Sequence, residues 1–148
     1  MVKTIKNVIN TKRLLQHMPK KYFTIESAQK QIIKIKKSLL KLQNLKKTID
    51  AILSVRADPN EIGFEDFLEM NTKLNKEYHK LSYEFYKELE ALEKIGCILK
   101  DLEQGLIDFY CKFEGRAVFL CWKLGEDKIK AWHEIDEGFA GRQQVVDF

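Results

Sequence analysis

Two long runs of apolar residues, spaced alternately by three and four, constrain this chain more than any other feature. The first runs through Ile25, Ala28, Ile32, Ile35, Leu39, Leu42, Leu45, Ile49 and Ile52. Such spacing puts every member on one side of an α-helix and is the mark of a helix–helix seam. Thr24 is a natural N-cap for it, and the helix should reach about Val55, a length of about 48 Å at 1.5 Å per residue. The second run holds Phe64, Phe67, Asn71, Leu74, Tyr78, Leu81, Phe85, Leu89, Leu92, Ile95 and Leu99. Between the two, residues 56–63 read Arg-Ala-Asp-Pro-Asn-Glu-Ile-Gly, a break rich in turn formers. Two helices of similar length joined by a short loop predict an antiparallel helical hairpin over residues 24–99. Asn71 is a polar residue in the second seam, which either fixes register or oligomer state or, near a helix end, simply reaches water.

After Leu99 the apolar period changes from about 3.6 to 2. If Glu114 and Gly115 form a two-residue hairpin turn, Cys111 faces Val118, Phe109 faces Leu120 and Ile107 faces Trp122. The opposite face then pairs Asp108 with Cys121, Tyr110 with Phe119 and Lys112 with Ala117. The faces separate cleanly, and a slip of one residue would mix them. A second turn at Glu126 and Asp127 leads to a third strand from Lys128 to about Ile135. That register turns Ile129, Ala131, His133 and Ile135 toward the apolar face and sets Trp132 beside Cys121 on the other. The expected fold is α+β: a long antiparallel helical hairpin packed on a small three-stranded antiparallel β-meander. The domain expected over 22–148 comprises the hairpin and, over 105–148, the meander with a C-terminal loop. Residues 1–21 form a basic arm with a short helix at 4–17, ended by Pro19.

The net charge of +4 hides an asymmetry. Residues 1–60 sum to roughly +11 and the remainder to roughly −7. Such an arm has two readings, a solvated lysine face or weak, salt-dependent binding of polyanions. No apolar run approaches the roughly 20 residues that span a bilayer, so no membrane partner is expected. The first residues lack a signal-peptide pattern, and a cytoplasmic location is the expectation. The three cysteines show no disulfide or paired Cys-x-x-Cys spacing, which favours reduced thiols.

Chemistry concentrates between Gly105 and Arg142. His133 is the histidine in the richest company, with Trp132 before it and Glu134 and Asp136 after. It is either a hydrogen-bonded core histidine or a metal ligand or general acid/base. Candidate catalytic residues are His133, Glu134 and Asp108. Candidate metal ligands are His133, Asp108 and Cys121, although the expected register puts His133 on the face opposite the other two. Cys121 in Val-Phe-Leu-Cys-Trp reads more as core than as nucleophile. Arg142, following Gly138 and Gly141, has a rigid base from which to grip a carboxylate or phosphate. Arg142, Asp136, Trp132 and Arg116 are therefore candidate ligand-binding residues. No nucleotide-cradling glycine motif and no Gly-x-Ser-x-Gly elbow occurs, and no cofactor is identified.

Several of these segments carry a resemblance. They are Phe23-Thr24-Ile25-Glu26-Ser27-Ala28, Gly105-Leu106-Ile107-Asp108-Phe109, Glu114-Gly115-Arg116, Leu120-Cys121-Trp122-Lys123-Leu124-Gly125-Glu126, Trp132-His133-Glu134 and Gly138-Phe139-Ala140-Gly141-Arg142. From about Tyr22 to the C-terminus the chain resembles the prokaryotic domain of unknown function family 2203. It departs from that pattern at Tyr110, where proline is expected, and in its added N-terminal arm. The resemblance implies a shared fold and site region and no particular activity.

Three functions remain open on these grounds. The first is a cytoplasmic binding or accessory protein that holds a partner or small ligand with the sheet and the 138–142 loop. The second is a small, metal-assisted enzyme using His133 with nearby carboxylates. The third is a nucleic-acid- or ribosome-associated protein acting through the basic half. The apolar seams exceed what a small sheet can cover, which predicts a homodimer.

Overall fold

The computed structural model describes residues 19–146. The short helix expected at 4–17 and most of the basic arm lie outside the described residues. Thr24 caps α1 (Ile25–Gln29), the first helix among the described residues, through a reciprocal box: Ser27 N–H donates to Thr24 Oγ1 at 3.1 Å and Thr24 N–H donates to Ser27 Oγ at 2.9 Å. A turn at Lys30 and Gln31 separates α1 from α2 (Ile32–Ser54). A short α3 (Pro59–Ile62), capped by Asp58 with Pro at its start, makes the break. The long α4 (Phe64–Ile95) returns antiparallel to α2, as the seams predict.

The sheet is larger than the meander expected from sequence. Its five antiparallel strands lie in the order β1-β2-β3-β4-β5. They are β1 (Ile98–Asp101), β2 (Leu106–Phe113), β3 (Arg116–Lys123), β4 (Ala131–Glu134) and β5 (Gln143–Gln144). The three expected strands are β2, β3 and β4. β1 had been read as the end of the helix, because Leu99 continues the spacing of Ile95. Gly96 stops the helix there in the left-handed region, at φ 97°.

The first hairpin has the predicted register, with Ile107 opposite Trp122, Phe109 opposite Leu120 and Cys111 opposite Val118. Glu114 and Gly115 both take positive φ, 48° and 79°, as a tight primed turn requires. One core joins the inner sheet face to both helices. Phe109, Leu120, Trp122 and Trp132 meet Phe23, Ile35, Leu39, Phe85 and Leu92. Trp122, the largest wholly buried side chain, sits at its centre.

Two polar details mark the hairpin, and one of them ties it. Asn71 donates to the Phe67 carbonyl of its own helix at 2.8 Å, so it satisfies itself rather than bridging the seam. Glu88 on α4 bridges to α2, accepting from Ser38 Oγ at 2.6 Å and Lys41 Nζ at 2.7 Å. Those hydrogen bonds hold the Glu88 carboxyl below its ordinary range, the Lys41 bond contributing most. A depressed carboxylate stabilises the fold above its unfolded-state pKa, and the contribution disappears as pH falls through the folded value. Glu88→Gln should therefore cost about 1 kcal/mol at neutral pH, with a difference from wild type that vanishes in acid. Urea titrations at neutral and acidic pH test this; an undiminished difference in acid would refute it.

Candidate metal centre

The third strand is displaced by one residue from the sequence expectation, and this displacement builds the site. Val118 faces Glu134, Phe119 faces His133, Leu120 faces Trp132 and Cys121 faces Ala131. His133 therefore shares the face of Phe119, Cys121 and Asp108, and Trp132 turns into the helix-facing core. Both are reversed from the expected register. The cause is the β3–β4 connection, which is longer than a two-residue turn. Glu126 organises it: its N–H donates to the Lys123 carbonyl at 3.0 Å, its Oε2 accepts from Lys123 N–H at 2.8 Å, and its carbonyl accepts from Trp122 Nε1 at 3.1 Å. Because side chains alternate along a strand, one residue of slip moves each to the other face.

Asp108 from β2, Cys121 from β3 and His133 from β4 thus converge on the outer side of the sheet. One ligating atom from each lies within 4.8 Å of the others. Each residue is only 2% exposed. His133 Nδ1 is 2.8 Å from the Glu134 carbonyl oxygen, which can only accept, so Nδ1 carries a hydrogen. Nε2 lies 3.2 Å from Asp108 Oδ2. A bare Nε2 lone pair would repel that carboxylate, so positive charge belongs between them, either a proton or a metal ion. The hydrogen bond to Asp108 raises the His133 pKa and outweighs burial, which lowers it. The second carboxylate oxygen, Asp108 Oδ1, is buried with no hydrogen-bond partner among the described residues. Orphaned acceptors of this kind are costly and call for a specific reason. Burial first, then the negative charge of Asp108 and a contact between the thiol and that carboxylate, pushes the Cys121 thiol up to about 12.

The other candidates fall elsewhere. Arg142 Nη2 donates to both carboxylate oxygens of Glu126, at 2.7 and 2.8 Å, and to the Cys121 carbonyl at 3.3 Å. Its guanidinium also covers the Phe139 ring. Its internal partner is thus Glu126. Asp136 is exposed. Trp132 is core, its ring tilted against that of Phe113. Arg116 pairs with Glu134 at 2.9 Å and Glu114 at 3.0 Å on the surface. The Glu134 side chain is committed to Arg116, and its backbone carbonyl orients His133.

Two contributors escaped the sequence reading. Lys100 on β1 reaches within 3.8 Å of Asp108 Oδ2 and lies over the Phe119 ring. It was missed because β1 was missed, though Gly96 was the available signal. Glu126 reads from sequence as a turn residue; its ties to Lys123, Trp122 and Arg142 leave no local pattern.

The three cysteines are free and buried. Among the described residues, no helix is long and apolar enough to cross a membrane. A family model described as "Uncharacterized conserved protein (DUF2203)" matches residues 21–145. No curated protein and no solved structure matches the chain.

Proposed function

Because the chain belongs to the DUF2203 family, whose description carries no activity, we propose a function from the site itself: the protein binds a divalent transition-metal ion of the zinc class through Asp108, Cys121 and His133. The observation that carries this reading is the buried convergence of carboxylate, thiol and imidazole within 4.8 Å. Zinc takes sulfur at about 2.3 Å and nitrogen or oxygen at about 2.0–2.2 Å, so tetrahedral neighbours lie a few ångströms apart, a spacing that small side-chain rotations reach here. His133 already donates Nδ1–H to a backbone carbonyl, the usual outer contact of a ligating histidine. A bound ion would engage Asp108 Oδ1, the oxygen left without a hydrogen-bond partner, and displace the Cys121 proton. The mixed oxygen, sulfur and nitrogen donors disfavour magnesium and calcium, which prefer oxygen alone.

Three protein ligands leave a fourth position, the pattern of metal sites that act on a bound molecule. This favours the metal-assisted reading over ligand capture by the 138–142 loop, where Arg142 Nη2 is already paired with Glu126. A reduced Cys121 suits a cytoplasmic setting. The test is titration of chelator-treated protein with Zn²⁺ by calorimetry and with Co²⁺ by absorption. One ion per chain and a thiolate-to-cobalt charge-transfer band are expected. No binding, or a band that persists in Cys121→Ser, would sink the reading.

The hairpin supports a second copy as partner. The buried residues of α4 are Phe85, Leu89, Leu92 and Ile95, all toward its C-terminal end. Phe64, Leu68 and Tyr83 on α4, and Ile33 and Leu40 on α2, are exposed. α2 is rich in lysine, with Asp50 as its one acid, whereas α4 carries more acids than bases. An antiparallel homodimer pairing α2 of one copy with α4 of the other covers these residues and matches the charges. Light scattering should return twice the chain mass, with weaker association in high salt. A monomer at high micromolar concentration would remove this proposal.

A further inference from the structure

The fourth position of this centre has a distinctive neighbour. Asp108, Cys121 and His133 rise from three adjacent strands on one sheet face. An ion held by all three would lie on that face, with the three strands beneath it and its remaining position on the side away from them. Lys100, on the neighbouring β1, reaches across at that level. Its Nζ lies 4.6 Å from the Phe119 ring centroid and 3.8 Å from Asp108 Oδ2. Asp108 is the one carboxylate within ion-pair distance of Lys100 among the described residues. The Lys100 side chain is 43% exposed and Asp108 only 2%, so the lysine stands between the buried donors and solvent. On the other flank, Arg142 is already matched by Glu126.

Charge decides what this arrangement favours. A divalent ion with an aspartate, a thiolate and a neutral histidine is electrically neutral. Once Asp108 serves the metal, its hold on Lys100 weakens, and the ammonium is left beside a neutral centre. Water in the fourth position would not use that charge. An anion coordinated through one atom would, by bonding the metal and accepting from the ammonium together.

We propose that the fourth position of the Asp108–Cys121–His133 centre binds a small anionic ligand, of the carboxylate or inorganic-anion class, with Lys100 as its counter-ion. Lys100 is a positioning residue for that ligand, aligned by the Phe119 ring beneath it, and its partly exposed side chain lies at the route of entry. The inference rests on the metal reading above.

The experiment uses the full chain loaded with Co²⁺ and titrated with azide at constant ionic strength. Azide should change the cobalt visible bands saturably. Lys100→Gln should retain the thiolate-to-cobalt band and weaken azide binding roughly tenfold, about the weight of one charge-assisted hydrogen bond. Lys100→Arg should recover most of the affinity. Cobalt bands insensitive to azide, or equal azide affinity in Lys100→Gln and wild type, would overturn the proposal while leaving the metal site standing. Loss of the charge-transfer band in Lys100→Gln would also overturn it, by making Lys100 part of metal retention. Absence of that band in wild type would remove the metal reading and this inference with it.

Discussion

A His133→Gln protein should remain folded and lose its zinc. Glutamine can still hydrogen-bond Asp108 or the Glu134 carbonyl, so the stability cost is about 1–2 kcal/mol. It is a poor metal ligand, and with two ligands left the affinity should fall by roughly a hundredfold or more, beyond the usual effect of losing an outer contact. Asp108→Asn and Cys121→Ser should fall in the same class. Asp136→Asn, at an exposed position, should leave zinc affinity unchanged. Calorimetric zinc titration and urea denaturation on the same samples separate the two effects. Wild-type zinc affinity in His133→Gln would reduce His133 to a core histidine.

Trp122→Ala should be the most damaging core substitution. Trp122 is 0% exposed at the junction of sheet and helices. Emptying such a site costs about 3–5 kcal/mol, a large share of the 5–15 kcal/mol typical of whole domains. The same change removes the Nε1 hydrogen bond to the Glu126 carbonyl, which steadies the β3–β4 connection. Trp122→Phe should keep most of the packing and lose about 1 kcal/mol for that bond. Urea midpoints rank the three proteins, and a Trp122→Ala loss below about 1 kcal/mol would contradict this account of the core.

What the sequence revealed divides along physical lines. The hairpin was legible because a seam at spacing three and four has one helical solution. The β2–β3 register was legible because Glu114 and Gly115 form a short turn, and pairing across it keeps apolar and polar faces apart. The β4 register was not. It depends on Glu126 bonding to Lys123 and Trp122 and being gripped by Arg142, contacts with no local signature. The expected slip separated His133 from Asp108 and Cys121, so the right three residues were named and then divided between faces. β1 was hidden for a different reason. Leu99 fits the helical period, and the stop at Gly96 was outweighed by that repeat.

The alternation of side chains across β2, β3 and β4 gives the two halves of the molecule opposite tolerance to inserted or deleted residues. The hairpin can change length in whole heptads with its seam in phase, at a distance from the site. Between Asp108 and His133 a single residue gained or lost within a paired strand rotates everything beyond it to the opposite face, unless a bulge absorbs it. The donor set would come apart even though every donor was still present in the chain. Length variation should therefore collect at the hairpin tip near α3, and strand lengths from β2 to β4 should hold constant.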